Sequence, residues 1–294
     1  MNFLAGIRLK NFCGYRNTKI SFIDGKTEEI KRINVIFGPN GEGKSSLLEA
    51  IRLVSNPFVF KNKESEMMIR KLIYHPDYDP TYAEFFPSDN TMEVEGVFDC
   101  NGEFKNVFIS NEGIERCDLE EKTRGYVYSV DADHPSHLIR FQVASDWADK
   151  FLEIAKIVYG YKCELTTSVN ETLKNMDGTE ENVVIYTDFV IHKNHTRVHY
   201  KRMSAGEKKI ATLLSMLCDK YYMEAMDIIL IDNVELHVYF LRHAAMIDKL
   251  LEVFPNKQFI ITTHSGTMID HIAKTYGQDK LYNLESLKGS KNRF

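Results

Sequence analysis

The N-terminal part of the chain alternates apolar and polar residues, a pattern that is typical of half-buried strands. This alternation predicts strands at Phe3–Phe12 and Thr18–Ile23. It also predicts a hairpin, in which Thr91–Phe98 and Phe104–Ser110 flank the tight-turn dipeptide Asn101-Gly102. We therefore expect an antiparallel β subdomain.

Apolar runs followed by helical periodicity predict a second kind of structure, the βα units of a parallel sheet. Arg32–Phe37 is such a run, and Lys44–Val54 after it places apolar residues on one helix face. A parallel sheet of this kind is buried on both faces. The last third of the chain repeats the order, with a helix at Ala205–Tyr222, a strand at Asp227–Asp232, a helix ending at Val253, a strand at Gln258–Thr262, a helix from Ser265 and a strand near Leu281.

The middle of the chain is predicted to hold an inserted helical lobe. Ser145 is a candidate cap for a helix that continues to Tyr159 and stops at Gly160. Lys162–Ser168 and Val183–Tyr200 read as strands. We assign residues 1–54 and 200–294 to the core, and residues 55–199 to β-subdomain strands plus the inserted lobe.

The composition excludes several classes of protein. The chain has 294 residues, of which 44% are hydrophobic, so a wholly disordered protein is excluded. A net charge of −5 does not indicate nucleic acid as the main partner. The five cysteines form no C-x-x-C pair, which argues against a zinc or disulfide framework. With neither a membrane span nor a signal peptide in the sequence, we expect a cytoplasmic protein without a membrane partner.

Gly38–Ser45 fits G-x-x-x-x-G-K-[ST], the phosphate-binding loop of P-loop NTPases. Its glycines allow backbone N–H groups to surround the β-phosphate, and the helix that follows adds its dipole. Lys44 is expected to reach the β- and γ-phosphates, and Ser45 to ligate Mg²⁺. The fold class is therefore α/β, with a P-loop NTPase core. The expected nucleotide contacts are Asn40, Gly41, Glu42, Gly43, Lys44, Ser45 and Ser46.

Four segments resemble motifs of ABC-type ATPase heads of the RecF, SMC and OLD kind. Phe37–Leu48 (FGPNGEGKSSLL) resembles their Walker A segment, and Ser204–Glu207 resembles their signature motif. Ile228–His237 (IILIDNVELH) resembles Walker B, and Thr262–Ser265 resembles the histidine switch. The motifs occur in the family's order. The resemblance implies an ATPase with an ABC-type head that binds ATP and Mg²⁺.

The resemblance also implies roles for single residues. Asp232, at the end of a buried strand, would hold Mg²⁺ or its water, although such an aspartate can also cap a helix. His264 would contact the γ-phosphate, unless it is an ordinary polar residue at a strand end. Gln142 is a candidate for the glutamine that senses Mg²⁺. Tyr15 and Phe22 are candidates for stacking on adenine, although aromatic residues in strands are more often core.

The signature motif implies a homodimer. In the family, the helix after this motif binds the γ-phosphate that the opposite subunit holds. Ser204, Gly206 and Glu207 would then complete a nucleotide site on a second copy. Ser204 and Glu207 also fit a capping box, and both interpretations can hold together.

One position departs from the family pattern. Asn233 stands where the family has a glutamate that polarises the attacking water, and an amide cannot act as a general base. The catalytic candidates are thus Lys44, Asn233, Glu235 and His264, with assistance from His237. Three hypotheses remain open: slow hydrolysis supported by Glu235 and His264, hydrolysis aided by a partner, or ATP as a binding-driven clamp.

Missing features narrow the biological role. The stretch between Lys44 and Ser204 is too short for long coiled coils, and the residues after His264 are too few for a TOPRIM nuclease domain. By resemblance, such heads control a separately encoded effector, for example in bacterial anti-phage defence. The alternatives are a RecF-like DNA repair ATPase and a non-hydrolysing, nucleotide-gated scaffold. Nucleic acid binding would use basic residues near the first strands and the signature, namely Arg8, Lys10, Arg16, Lys201, Arg202, Lys208 and Lys209.

Overall fold

The computed structural model describes residues 1–55, 57, 92–110, 113–119, 128–131, 141–174, 180–219 and 227–287. The strands in these ranges are β1 (Asn2–Phe12), β2 (Tyr15–Ser21), β3 (Ile33–Phe37), β4 (Glu93–Cys100), β5 (Glu103–Ser110), β6 (Gly113–Cys117), β7 (Tyr128–Asp131), β8 (Val143–Ala144), β9 (Lys162–Lys174), β10 (Glu180–Lys193), β11 (Thr196–His199), β12 (Ile228–Asp232), β13 (Gln258–Thr263) and β14 (Leu281–Asn283). The helices are α1 (Lys44–Ser55), α2 (Ala148–Tyr159), α3 (Ala205–Leu217), α4 (His243–Val253), α5 (Gly266–Thr275) and α6 (Leu284–Leu287). No helix among the described residues is long and apolar enough to cross a membrane.

The central sheet is parallel, with strand order β14-β3-β13-β12-β7. It is buried on both faces, as predicted. Ile228 and Leu230 of β12 belong to a hydrophobic cluster shared with α1 and the N-terminal strands. Ile229 and Ile231 of the same strand belong to a second cluster, shared with α2, α3 and α4. This arrangement explains the continuous apolar run, because each successive side chain enters a different core.

The second sheet is antiparallel, with strand order β2-β1-β4-β5-β6. The predicted hairpin of β4 and β5 is confirmed, and its turn residues Asn101 and Gly102 have positive φ angles of 57° and 90°. This sheet packs on α1, where Gly96 of β4 leaves room for Val54. The sheets cross the predicted domain boundaries, because β1 pairs with β4, which follows residue 55, while β7 joins the parallel sheet.

The third sheet forms most of the lobe. Its long strands β9 and β10 pair antiparallel, and β8 and β11 pair with β10. Helix α2 packs on this sheet through a cluster of aromatic rings. Phe151 and Phe189 meet edge to face at 5.0 Å between ring centroids, and Phe141 stacks on Phe189 at 5.7 Å. In the described part of the chain, the lobe thus combines α2 with a sheet, and the predicted strands Lys162–Ser168 and Val183–Tyr200 overlap β9, β10 and β11.

Several element boundaries differ from the predictions. The predicted strand Val183–Tyr200 is two strands, because Asn194 and His195 have positive φ angles of 49° and 63° and form a tight turn. Ser145 begins a short 3-10 turn and does not cap α2, whose N-cap is Trp147. Helix α3 ends at Leu217, before the predicted Tyr222, which lies outside the described residues.

Candidate functional site

The phosphate loop connects the carboxyl end of β3 to the amino end of α1. Gly41 and Gly43 have φ angles of 81° and 84°, in a region that residues with a side chain rarely adopt. Asn40, Gly41 and Ser45 are exposed to solvent. The loop is therefore accessible to a ligand at the start of a 12-residue helix, whose dipole favours anions there.

The side chain of Lys44 lies across its own loop. Its ammonium nitrogen donates hydrogen bonds to the backbone oxygens of Gly38 at 3.0 Å and Pro39 at 2.9 Å. Burial lowers the pKa of Lys44, and the nearby carboxylates of Asp232 and Glu235 oppose this shift. A largely buried cation thus lies at the loop, next to two carboxylates that were distant in sequence.

Ser45 and Asp232 meet, as the motifs predicted. The Ser45 hydroxyl donates to Oδ2 of Asp232 at 2.6 Å. Thr262, at the end of the neighbouring strand β13, donates from its hydroxyl to Oδ1 of Asp232. The backbone N–H of Asn233 in turn donates to Oγ1 of Thr262 at 2.8 Å. Asp232 is therefore held between the phosphate loop and the end of β13.

The next acidic residue, Glu235, contacts the end of β13. The Thr263 hydroxyl donates to its Oε2 at 2.7 Å, and the backbone N–H of His264 donates to its Oε1 at 2.6 Å. The ring of His264 itself is exposed. Asn233 has a φ of 48°, and its Oδ1 is buried without a hydrogen-bond partner among the described residues. The side-chain oxygen of Asn233 is thus an unused acceptor among the described residues.

The signature segment forms a complete capping box. The Glu207 N–H donates to Oγ of Ser204 at 3.3 Å, and the Ser204 N–H donates to Oε2 of Glu207 at 2.9 Å. Tyr159 of α2 donates to the backbone oxygen of Glu207 at 2.5 Å. A Cβ on Gly206 would lie 3.2 Å from Nδ1 of His237. The start of α3 therefore packs against the segment that follows Asp232.

The structure does not bring Gln142 to this site. Gln142 is exposed and precedes β8 in the third sheet, whereas its proposed role requires a position after a central strand. Strand β12 lies between β13 and β7, and Asp131 of β7 pairs in register with Asp232. The residues that follow β7 lie outside the described ranges.

Both candidates for adenine stacking are core residues. Tyr15 and Phe22 are fully buried. Tyr15 supports the phosphate loop by donating from its hydroxyl to the backbone oxygen of Gly43 at 2.8 Å, and burial raises its pKa. Phe22 packs edge to face on Tyr282. Neither ring has a face free for a base.

Sequence reasoning missed the supporting role of several residues around these loops. Thr262 and Thr263 hold the two carboxylates, and His243 bonds Ser265 at 2.8 Å. The available signal was the pair of threonines that ends the otherwise apolar strand β13. Polar side chains at the carboxyl end of a parallel strand lie where ligands of such sheets bind.

Comparison with known proteins identifies relatives of two kinds. The chain is 26% identical over 125 residues to the Retron Vc95 probable ATPase of Vibrio cholerae serotype O1 biovar El Tor, covering 40% of this chain and 24% of that protein. It is 22% identical over 284 residues to the Septu protein PtuA of Bacillus mycoides (strain KBAB4), covering 90% of this chain and 38% of the relative. The matched regions thus span well under half the length of these two relatives.

The fold has a counterpart among solved structures. The crystal structure of an Smc head domain from Pyrococcus furiosus, bound to the C-terminal domain of ScpA, matches with a TM-score of 0.54 at 14% identity, over 92% of both chains. At this identity the likeness concerns the fold alone. In sequence, residues 3–284 match the family described as the RecF/RecN/SMC N terminal domain. Because this match includes nearly the whole sequence, the chain belongs to the RecF/RecN/SMC family of ATPases and has its ABC-type head.

Proposed function

We propose that the chain binds ATP with Mg²⁺ at the phosphate loop, and that two copies close around two nucleotides. The observation that carries the proposal is the 2.6 Å contact between the Ser45 hydroxyl and the Asp232 carboxylate, beside the buried Lys44. An anion-binding loop, a cation and a pair of oxygen donors are the groups that a magnesium-bound triphosphate needs. Family membership supports ATP binding and ATPase activity in general.

The oxygen donors at Ser45 and Asp232 suit Mg²⁺, which prefers hard oxygen ligands. When bound, Mg²⁺ would offset charge on the β- and γ-phosphates. Lys44 would exchange the carbonyl oxygens of Gly38 and Pro39 for phosphate oxygens, since an ammonium group binds a charged oxygen more strongly than a neutral one. His264, exposed at the end of β13, would approach the γ-phosphate.

The second copy would contribute its signature motif. Ser204 is exposed, at the amino end of a 13-residue helix. Its hydroxyl and the helix dipole would face the γ-phosphate of the neighbouring copy. The hydrogen-bond partners of Ser204 and Glu207 are each other, Tyr159 and Lys193, which places this motif on the lobe side of its own chain.

Hydrolysis is proposed to be slow. The Asn233 amide oxygen can accept a hydrogen bond from a water molecule, but it cannot take the proton. Loss of a general base reduces a rate by about 10²–10⁴. Such a protein would remain closed on ATP long enough to act on a partner.

We propose a separately encoded effector as that partner, within anti-phage defence. The names of the two relatives, a retron ATPase and a Septu protein, support this role. A nucleotide-gated scaffold that does not hydrolyse ATP would act on the same partner. One bound and unhydrolysed ATP per chain would identify the protein as such a scaffold.

A RecF-like role on DNA is the second candidate. The exposed residues Lys201 and Arg202, directly before the signature, favour it. The basic residues of the first strands favour it less, because Lys10 pairs with Glu93 at 2.8 Å. ATP-dependent DNA affinity that falls steeply with salt would support this candidate.

The test combines oligomeric mass with nucleotide content. With ATP and Mg²⁺, light scattering should show a doubled mass for the wild type, and Lys44→Ala should bind no nucleotide and keep the single mass. The matched variant Ser204→Arg should still bind one ATP per chain but fail to double. A wild type that is saturated with ATP and yet keeps its single mass would overturn the dimer proposal.

A further inference from the structure

Glu235 has both carboxylate oxygens engaged inside the chain. Oε2 accepts from the Thr263 hydroxyl at 2.7 Å, and Oε1 accepts from the backbone N–H of His264 at 2.6 Å. Hydrogen bonds to a charged acceptor are about twice as strong as neutral ones. The carboxylate therefore fixes the residues that end β13, on which His264 depends for its place.

Neighbouring bonds tie the same two segments together. The Asn233 N–H donates to Oγ1 of Thr262 at 2.8 Å, and the Val234 N–H donates to the Thr262 backbone oxygen at 3.3 Å. One residue after His264, the Ser265 hydroxyl lies 2.8 Å from Nδ1 of the buried His243. The segments after β12 and after β13 thus behave as one unit, with Glu235 at its centre.

The tautomer of His243 follows from its partners. Its Nε2 lies 2.9 Å from the backbone oxygen of Val238, which can only accept, so Nε2 carries the proton. In the neutral ring Nδ1 then accepts from the Ser265 hydroxyl, and Ser265 Oγ accepts from the Met268 N–H at 3.2 Å. Ser265, the residue next to His264, is therefore held from its other side.

We propose that Glu235 is a positioning residue that fixes the backbone at His264, and that it is not the group that accepts the proton of the attacking water. The role in turnover rests on the proposed ATPase function, whereas the contact with His264 is present without nucleotide. A general base needs an oxygen that can approach the attacking water, whereas both oxygens of Glu235 are occupied within the chain, one by the Thr263 hydroxyl and the other by the His264 N–H.

Glutamine and alanine substitutions separate the two roles. In Glu235→Gln the amide oxygen can still accept from the His264 N–H, and the NH₂ group can donate to the Thr263 hydroxyl oxygen. In Glu235→Ala both contacts are lost. A positioning residue therefore tolerates glutamine, whereas a general base tolerates neither change.

The first measurement is hydrogen exchange at the His264 amide in the full chain without nucleotide. We expect slow exchange in the wild type and Glu235→Gln, and exchange at least about tenfold faster in Glu235→Ala. The control is Glu252→Ala, which removes an exposed carboxylate of α4 paired with Lys249 and should leave this amide unchanged. Unchanged exchange in Glu235→Ala would overturn the proposal, whether or not the protein binds ATP.

The second measurement is single-turnover hydrolysis of labelled ATP across pH. We expect Glu235→Gln to stay within about threefold of the wild type with an unchanged pH profile, and Glu235→Ala to fall by about tenfold or more. Loss of about 10²-fold or more in both variants would identify Glu235 as the base and overturn the proposal. If no chain binds ATP, the proposed function fails, and hydrogen exchange alone decides the contact.

Discussion

The hydroxyl of Ser45 donates a 2.6 Å hydrogen bond to Asp232, although 187 positions separate the two residues in the sequence. The contact exists because β3 and β12 are parallel strands of one sheet with β13 between them. The carboxyl ends of both strands therefore lie at the same edge of the sheet. An oxygen pair suited to Mg²⁺ is therefore assembled by the fold itself.

Removing the oxygen ligand at Ser45 or at Asp232 is expected to remove the magnesium dependence of ATP binding. Ser45→Ala and Asp232→Asn should each weaken binding in Mg²⁺ by about tenfold, or about 1.4 kcal/mol, and leave binding in EDTA unchanged. Titration with a fluorescent ATP analogue measures both conditions. Ser55→Ala, at the other end of α1, is the matched control, and equal losses with and without Mg²⁺ would refute the metal role.

A carboxylate at position 233 is expected to raise ATP turnover. Asn233→Glu should increase the rate by about 10²-fold, the lower end of the range for a positioned base. Asn233→Gln adds the same length without a base and should change the rate little. Equal rates in the two variants would show that position 233 does not face the attacking water.

Replacing Asn233 by glutamate or glutamine is also expected to lower the free energy of unfolding. Asn233 has a φ of 48°, a left-handed conformation that asparagine tolerates better than glutamate or glutamine. Both variants should therefore lose about 1–2 kcal/mol in the free energy of unfolding. Urea denaturation followed by the single tryptophan, Trp147, measures this loss. A glutamine variant as stable as the wild type would contradict it.

Gly96 is expected to accept no side chain. A Cβ there would lie 2.8 Å from Cγ2 of Val54, so Gly96→Ala should force α1 away from β4 and cost about 1–3 kcal/mol. Adding Val54→Ala should recover part of that cost, because it removes the contacted methyl groups. Chemical denaturation of the two single variants and the double variant gives the coupling energy. Strict additivity would argue against the contact.

The thiols are expected to differ in reactivity. Burial raises the pKa of Cys163 to about 12 and raises that of Cys218 further, whereas Cys13 is exposed in the turn between β1 and β2. Because the thiolate is the reactive form, a thiol reagent at pH 8 should label Cys13 rapidly and the other two only after unfolding. Cys13→Ser should remove the fastest phase, and its persistence would contradict the assignment.

Local patterns predicted the parallel sheet well. An apolar run such as Ile228–Ile231 reports burial on two faces, and the two hydrophobic clusters that share β12 are the physical cause of that run. Pairing between distant strands leaves no such signal. The contact of β1 with β4 could not be read from either segment alone, so the predicted domain boundaries divided one sheet. The turn at Asn194 and His195 was missed because it interrupts a continuing strand pattern.

The candidate site was likewise predictable from local motifs only in part. The motifs predicted that Ser45 and Asp232 share one edge of the sheet, because glycine, lysine and acidic residues follow strands at characteristic spacings. The orientation of Glu235 toward Thr263 and His264 depends on which rotamer the folded loops permit. Gln142 was selected by residue type after an apolar segment, and the structure places Gln142 directly before β8, a strand of another sheet.

The side chains of β12 before Asp232 are all buried in one or the other of the two hydrophobic clusters, so only the carboxyl end of this strand can contribute to the site. In β12, the side chains of Ile228 to Ile231 are buried, whereas Asn233 lies beyond the end of the strand, so a substitution there acts on the local backbone and on the site and leaves the strand pairing in place. If Asn233 sets the rate of hydrolysis as proposed, a single substitution after β12 would change turnover while the order of the strands stays the same.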